Sequence, residues 1–161
     1  MPEELADLRA HIAGLLRGGS AHATLTQALA GLTPEVAGKK PPRAPHTCWQ
    51  LLEHIRIAQQ DILEFTRDPN WQSPKFPQGY WPATAAPPSA AALRRSRAAL
   101  AADLEAVIAL VLDSARELLT PLPHAPDNTL LREALLVADH NAYHLGQLVF
   151  ARKLLGAWRA Q

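Results

Sequence analysis

The sequence predicts an all-α fold of four long helices, and three observations carry that prediction. Apolar residues recur at helical spacing through four long stretches. The breaks between those stretches fall on glycine and proline. No segment alternates apolar and polar residues over a length useful for a strand, and no internal repeat is visible. With 161 residues the chain suffices for one domain, spanning residues 1–161, with a substantial core. An up-down four-helix bundle is the architecture these features favour.

The first helix is read from residues 3 to 17, where Leu5, Leu8, Ile12, Leu15 and Leu16 share a face. Gly18-Gly19 breaks it, and Ser20 is placed to cap a second part through Leu29. Thr33-Pro34-Glu35-Val36 adds a short helical turn, and the proline-rich Lys39 to Pro45 is an extended connector. Thr47 and Gln50 stand at capping-box spacing and open the second main helix. Leu51, Ile55, Ala58, Ile62 and Phe65 form its apolar stripe, and Asp68-Pro69-Asn70 ends it near Arg67.

Residues 68 to 88 form a long connector with six prolines and the aromatics Trp71, Phe76, Tyr80 and Trp81. Connectors of this length are often functional. Two readings stand: its aromatics cover an open end of the bundle, or it is a substrate lid. Ser89 starts the third main helix, expected to reach Leu119, after which Thr120 to Asp127 breaks the pattern. Asn128 or Thr129 caps the fourth, which runs to about Leu155 with Gly156 as its stop. On that helix Leu131, Leu135, Ala138, Ala142, Leu145 and Val149 make an apolar line. His140 and His144 lie roughly opposite it, near Leu136, Gln147 and Ala151, so a helix engaged on one side only would leave the histidines in water.

Composition narrows the function. A formal net charge of +1, with no basic block, argues against nucleic acid as a partner. No apolar run approaches the ~20 residues of a membrane span, and Met1-Pro2-Glu3-Glu4-Leu5 lacks a signal-peptide core. The cytoplasm is the expected location. Cys48 is the only cysteine, which excludes an internal disulfide. It reads as a small packing residue, with a helix-start thiol of lowered pKa as the alternative. No Ser-His-Asp ordering is visible, so covalent catalysis by the protein is discounted.

The chemistry concentrates in Asp139-His140-Asn141-Ala142-Tyr143-His144-Leu145-Gly146-Gln147. Histidines one turn apart on a helix reach toward a common point. They grip a divalent metal when a third ligand arrives from another helix, and His54 is the best upstream candidate. Three neutral imidazoles leave the ion its full charge and an open position, which suits catalysis better than structure. A water or a substrate thiol activated there is the expected nucleophile. Gln50, Asp61 and Gln147 are candidates to orient the ligating rings. His22, His46, Trp81, His124 and Tyr143 are candidates to line a pocket, and His11 reads as surface. Glu53 and Asp139 each adjoin a candidate ligand but point about 100° away.

The chain resembles the DinB/YfiT-like superfamily, on the segments Trp49-Gln50-Leu51-Leu52-Glu53-His54-Ile55-Arg56-Ile57-Ala58-Gln59, Gly79-Tyr80-Trp81-Pro82, and Leu130 to Gln147 with its histidine, three residues, histidine, then Gly-Gln. The likeness extends from about Leu5 to Trp158. It implies an up-down-down-up four-helix bundle, commonly a homodimer, with one divalent metal on His54, His140 and His144. Zinc or nickel is expected ahead of iron or manganese, although all four accept imidazole. The implied function is a metal-dependent enzyme acting on a small molecule, as a transferase using a low-molecular-weight thiol. A hydrolase without thiol, or a non-catalytic dimeric protein binding a metal or ligand, are the alternatives.

Overall fold

The computed structural model describes residues 3–158, and the described chain is mostly helical. Met1 and Pro2 of the acidic N-terminus lie outside the described residues. Six α-helices are present among these residues: α1 (Glu3–Arg17), α2 (Leu25–Leu29), α3 (Pro34–Gly38), α4 (Cys48–Arg67), α5 (Ala90–Leu112) and α6 (Leu130–Leu154). The four long ones, α1, α4, α5 and α6, supply most of the core, with α4 packed on both α5 and α6.

Local chemistry explains most boundaries. Thr47 accepts from the Gln50 amide while the Gln50 side chain accepts from the Thr47 amide, the reciprocal box expected at the head of α4. Thr33, Ser89 and Thr129 cap α3, α5 and α6 from one side only, each side chain accepting from an amide three residues on. Gly156, at φ 66°, closes α6 in the left-handed region where a Cβ is costly.

Four expectations need correction. Ser20 caps nothing: Gly18 (φ 70°) and Gly19 (φ 94°) turn the chain, and Thr24 caps α2 in a box with Gln27. Helix α5 stops at Leu112, seven residues early. The buried Arg9 guanidinium of α1 donates to the carbonyl of Val111 in the last turn and to those of Asp113 and Arg116 just beyond it, which ties down that end. The chain then turns back to bury Leu118 and leaves Leu119 in water. A short antiparallel hairpin, β1 (Pro121–Leu122) and β2 (Ala125–Thr129), occupies the expected break; its strands are too short to alternate visibly. On α6, the supposed apolar line is only the flank, with Leu145 its one buried member. The buried arc is Leu130, Ala134, Val137, Leu145, Leu148 and Ala151, and His140 and His144 stand at its edge.

The core falls into two apolar clusters. One gathers Leu29, Trp49, Leu52, Ile55, Leu93, Leu100 and Leu148, and the other Ile12, Leu16, Leu63, Ile108, Val111 and Val137. Each fully buried leucine or isoleucine here contributes roughly 1.5–3 kcal/mol. Between the clusters runs a polar layer. The fully buried Gln59 of α4 donates to the Leu100 carbonyl of α5 and accepts from Asn141 of α6. A buried amide with such partners fixes the relative height of three helices, because a slip would strand it unpaired. The candidate histidines of α6 flank this layer.

Candidate metal centre

His54, His140 and His144 converge. His54 Nε2 lies 3.1 Å from His144 Nε2 and 3.2 Å from His140 Nε2. One ligand atom from each lies within 4.8 Å of the others, the one such His/Cys/Asp/Glu cluster among the described residues. Tetrahedral zinc, with Zn–N bonds of about 2.0–2.1 Å, spaces its nitrogens by roughly 3.3–3.4 Å. Both separations from His54 come close to that spacing, and the chemistry of the donor set suits such an ion.

Protons strengthen the case. His54 Nδ1 lies 2.8 Å from the Tyr80 carbonyl oxygen, which can only accept. Nδ1 therefore carries the hydrogen, and Nε2 of the neutral ring is a bare lone pair. His144 Nδ1 faces Gln147 Oε1 at 3.1 Å and is bare at Nε2 for the same reason. Two lone pairs aimed at each other across 3.1 Å repel, and a cation between them turns that repulsion into ligation. Burial, with the neighbouring rings of His144 and His54 adding to it, pushes His140 down to about 4. His144 is lowered as well, chiefly by burial and against the opposing hydrogen bond that it donates to Gln147. Both rings are neutral near pH 7, the state a metal requires. His140 Nδ1 and Asn141 Oδ1, on consecutive residues, are both buried without a partner.

Residues 68–88 form a strap along α4. The Asp61 carboxylate accepts from Trp71 Nε1 at 2.7 Å and from the Tyr80 hydroxyl at 2.6 Å. Trp81 lies flat on His54, with centroids 4.0 Å apart at 2°, and His46 stacks on Trp81 at 4.1 Å. Beyond it, Trp49 Nε1 donates to Thr84 and the Thr47 hydroxyl to the Ala85 carbonyl. The strap is held at three levels of α4: by Thr47 and Trp49 at its head, by His54 in its second turn and by Asp61 in its fourth.

The remaining candidates divide. Gln147 orients His144 directly, and Trp81, His46 and Tyr143 surround the rings; Tyr143 is largely exposed and edge-on to His144 at 4.8 Å. Gln50 is spent on the capping box and touches no ligand. Asp61 reaches His54 only through Tyr80. His22 lines a separate small cavity with Leu16, Leu104 and Asn141. His124 donates from Nε2 to the Phe65 carbonyl at 2.8 Å, fastening the hairpin to the far end of α4. His11 and Asp139 are exposed, and Glu53 pairs with Arg56 at 3.0 Å. Cys48 is fully buried, and burial pushes its thiol up to about 11, which removes the activated-thiol alternative. The sequence reading missed Tyr80 as an acceptor because the acting atom belongs to the main chain. It missed Gln59 and Asn141 because their pairing depends on helix register.

Comparison with known proteins agrees with this geometry. A family model described as the DinB superfamily matches residues 19–148, a span that includes all three histidines and the strap. No curated protein and no solved structure gives a significant match. A match over most of the chain, taking in every residue of the histidine cluster, shows that this protein belongs to the DinB superfamily.

Proposed function

We propose that this protein is a metal-dependent enzyme that holds one divalent ion on His54, His140 and His144 and acts on a small molecule. The observation that carries the reading is the convergence of three imidazole nitrogens, two of them stripped of hydrogen by acceptors on their far side. Zinc or nickel bound there would supply Lewis acidity to a thiol or water brought to the open position. The chain's own part is to fix ring orientation through the Tyr80 carbonyl and Gln147, and to keep water off one face of His54 with Trp81. Its single thiol is buried, so the nucleophile must arrive from outside. Transfer to a low-molecular-weight thiol is therefore the first activity to test, with hydrolysis as the alternative.

We also read α1, α4, α5 and α6 as an up-down-down-up bundle. Supporting this, Arg9 of α1 meets the end of α5, and Gln59 of α4 meets both Leu100 and Asn141. A second copy of the chain is the proposed partner, supported by the exposed Leu136 and Tyr143 spaced by seven along α6.

Metal analysis of protein purified without chelator, before and after recharging with zinc or nickel, tests the centre. Near one equivalent is expected, and His144→Ala should abolish it while leaving the helical circular dichroism intact. Protein that neither retains nor regains metal refutes the proposal. Turnover with and without added thiols then separates the two activities.

A further inference from the structure

Beside the histidines lies a cavity of about 410 Å³, within the range of small-molecule sites. Its position is set by helix geometry. Leu51 of its wall precedes His54 by three residues on α4, and Gln147 follows His144 by three on α6. The cavity thus begins one turn, about 5 Å, from the ligating rings on both helices. Two walls are shared with the metal centre: Gln147 holds His144 Nδ1, and His46 stacks on the indole that covers His54.

The lining is mostly apolar. Phe150 and Leu154 belong to it yet are 62% and 46% exposed, surface that an occupant would cover. One charged residue, Arg43, joins them, and no aspartate or glutamate does. No carboxylate among the described residues pairs with Arg43. It is the one non-glycine residue among them at positive φ, 61°, a conformation costly to a residue with a Cβ and common at ligand clamps.

We infer that this cavity seats the substrate, and that the substrate class is a small carboxylic acid with an apolar body. The carboxylate pairs with Arg43, the body lies against Leu51, Phe150 and Leu154, and the far end is directed to the histidines. This rests on the metal reading of His54, His140 and His144.

Calorimetric titration of the full chain, metal-free and zinc-loaded, tests it with octanoate, octylammonium and 8-mercaptooctanoate. Octanoate is expected to bind both forms and octylammonium neither. Arg43→Gly, which keeps the left-handed backbone available, should weaken octanoate about tenfold, the loss of one charge-assisted contact. Phe150→Glu should weaken it at least as much, and both variants should take up zinc normally, showing intact folds. 8-Mercaptooctanoate should match octanoate on metal-free protein and bind at least about tenfold tighter with zinc, one molecule then spanning both sites. Absence of octanoate binding with normal zinc uptake overturns the cavity assignment and leaves the metal reading standing. Equal binding of octylammonium, or no effect of Arg43→Gly, overturns the carboxylate. Octanoate binding without zinc uptake overturns the substrate role through failure of the metal reading. Loss of octanoate binding as protein concentration rises overturns it in favour of a second copy as occupant.

Discussion

Replacing Asp61 by alanine should weaken metal binding although Asp61 touches no ligand. Its carboxylate, buried at 8% exposure, accepts from Trp71 and Tyr80 at 2.7 and 2.6 Å. Hydrogen bonds to a charged group contribute about 1.5–3 kcal/mol each. Tyr80 stays a donor throughout ordinary pH, because burial and the Asp61 contact push its hydroxyl up to about 12. The freed indole and phenol are only half-buried and reach water, so the pair should cost about 3 kcal/mol, the low end of that range. The contacts of Thr47 and Trp49 with Ala85 and Thr84 persist, which confines the loosening to residues 71–81. There it releases the carbonyl that fixes His54. Loss of such an orienting partner costs roughly 10–100-fold in metal affinity. Competition titration against a chelator measures the affinity, and hydrogen exchange of residues 71–81 measures the loosening. Tyr80→Phe keeps the carbonyl and loses one bond, so it should fall between wild type and Asp61→Ala. An Asp61→Ala protein with lost amide protection but zinc affinity within about twofold of wild type would refute the coupling.

Metal-free protein should lose stability in mild acid. Burial holds His140 at about 4 against an ordinary 6.5, so below 6.5 the unfolded chain takes up the proton first. Stability is complete above about 6.5 and falls progressively toward pH 4, chiefly through His140, with His144 acting in the same direction. A metal-free Tm that does not change between pH 7.5 and 4.5 contradicts this, and zinc retention should fade over the same interval. Arg9→Ala should cost about 3 kcal/mol by removing three hydrogen bonds at the end of α5, lowering Tm by about 6–12 °C with zinc affinity unchanged. A Tm shift under about 2 °C is the contrary result. Leu136→Glu with Tyr143→Glu should convert a dimer to a monomer by light scattering; wild type that is monomeric at all concentrations removes the proposed partner.

What the sequence disclosed, and what it hid, follows from the range of the interactions. Thr47 with Gln50, and the i, i+4 pair His140 and His144, are set by contacts within one or two turns. The starts of the three later long helices and two-thirds of the histidine cluster were therefore readable, and His54 was the better placed upstream histidine, with His11 of α1 reading as surface. The end of α5 was not readable, because Leu118 and Leu119 continue a helical pattern that Arg9, from the other end of the chain, interrupts. Asp61 was placed beside the ligands in kind but not in manner, since its partners come from the strap. Glutamines illustrate the same limit: Gln50, Gln59 and Gln147 are chemically identical, and only packing makes one a cap, one a spacer between helices and one a ring holder.

An acceptor supplied by the peptide backbone cannot be deleted by a point mutation; it can only be moved. The hydrogen on His54 thus answers to where a segment runs and not to which residue stands at position 80. Inserting or removing one amino acid between positions 72 and 78 would shift that oxygen with no alteration to any ligating residue. Drift in spacing along this stretch, more than drift in composition, is the change that would detune the centre.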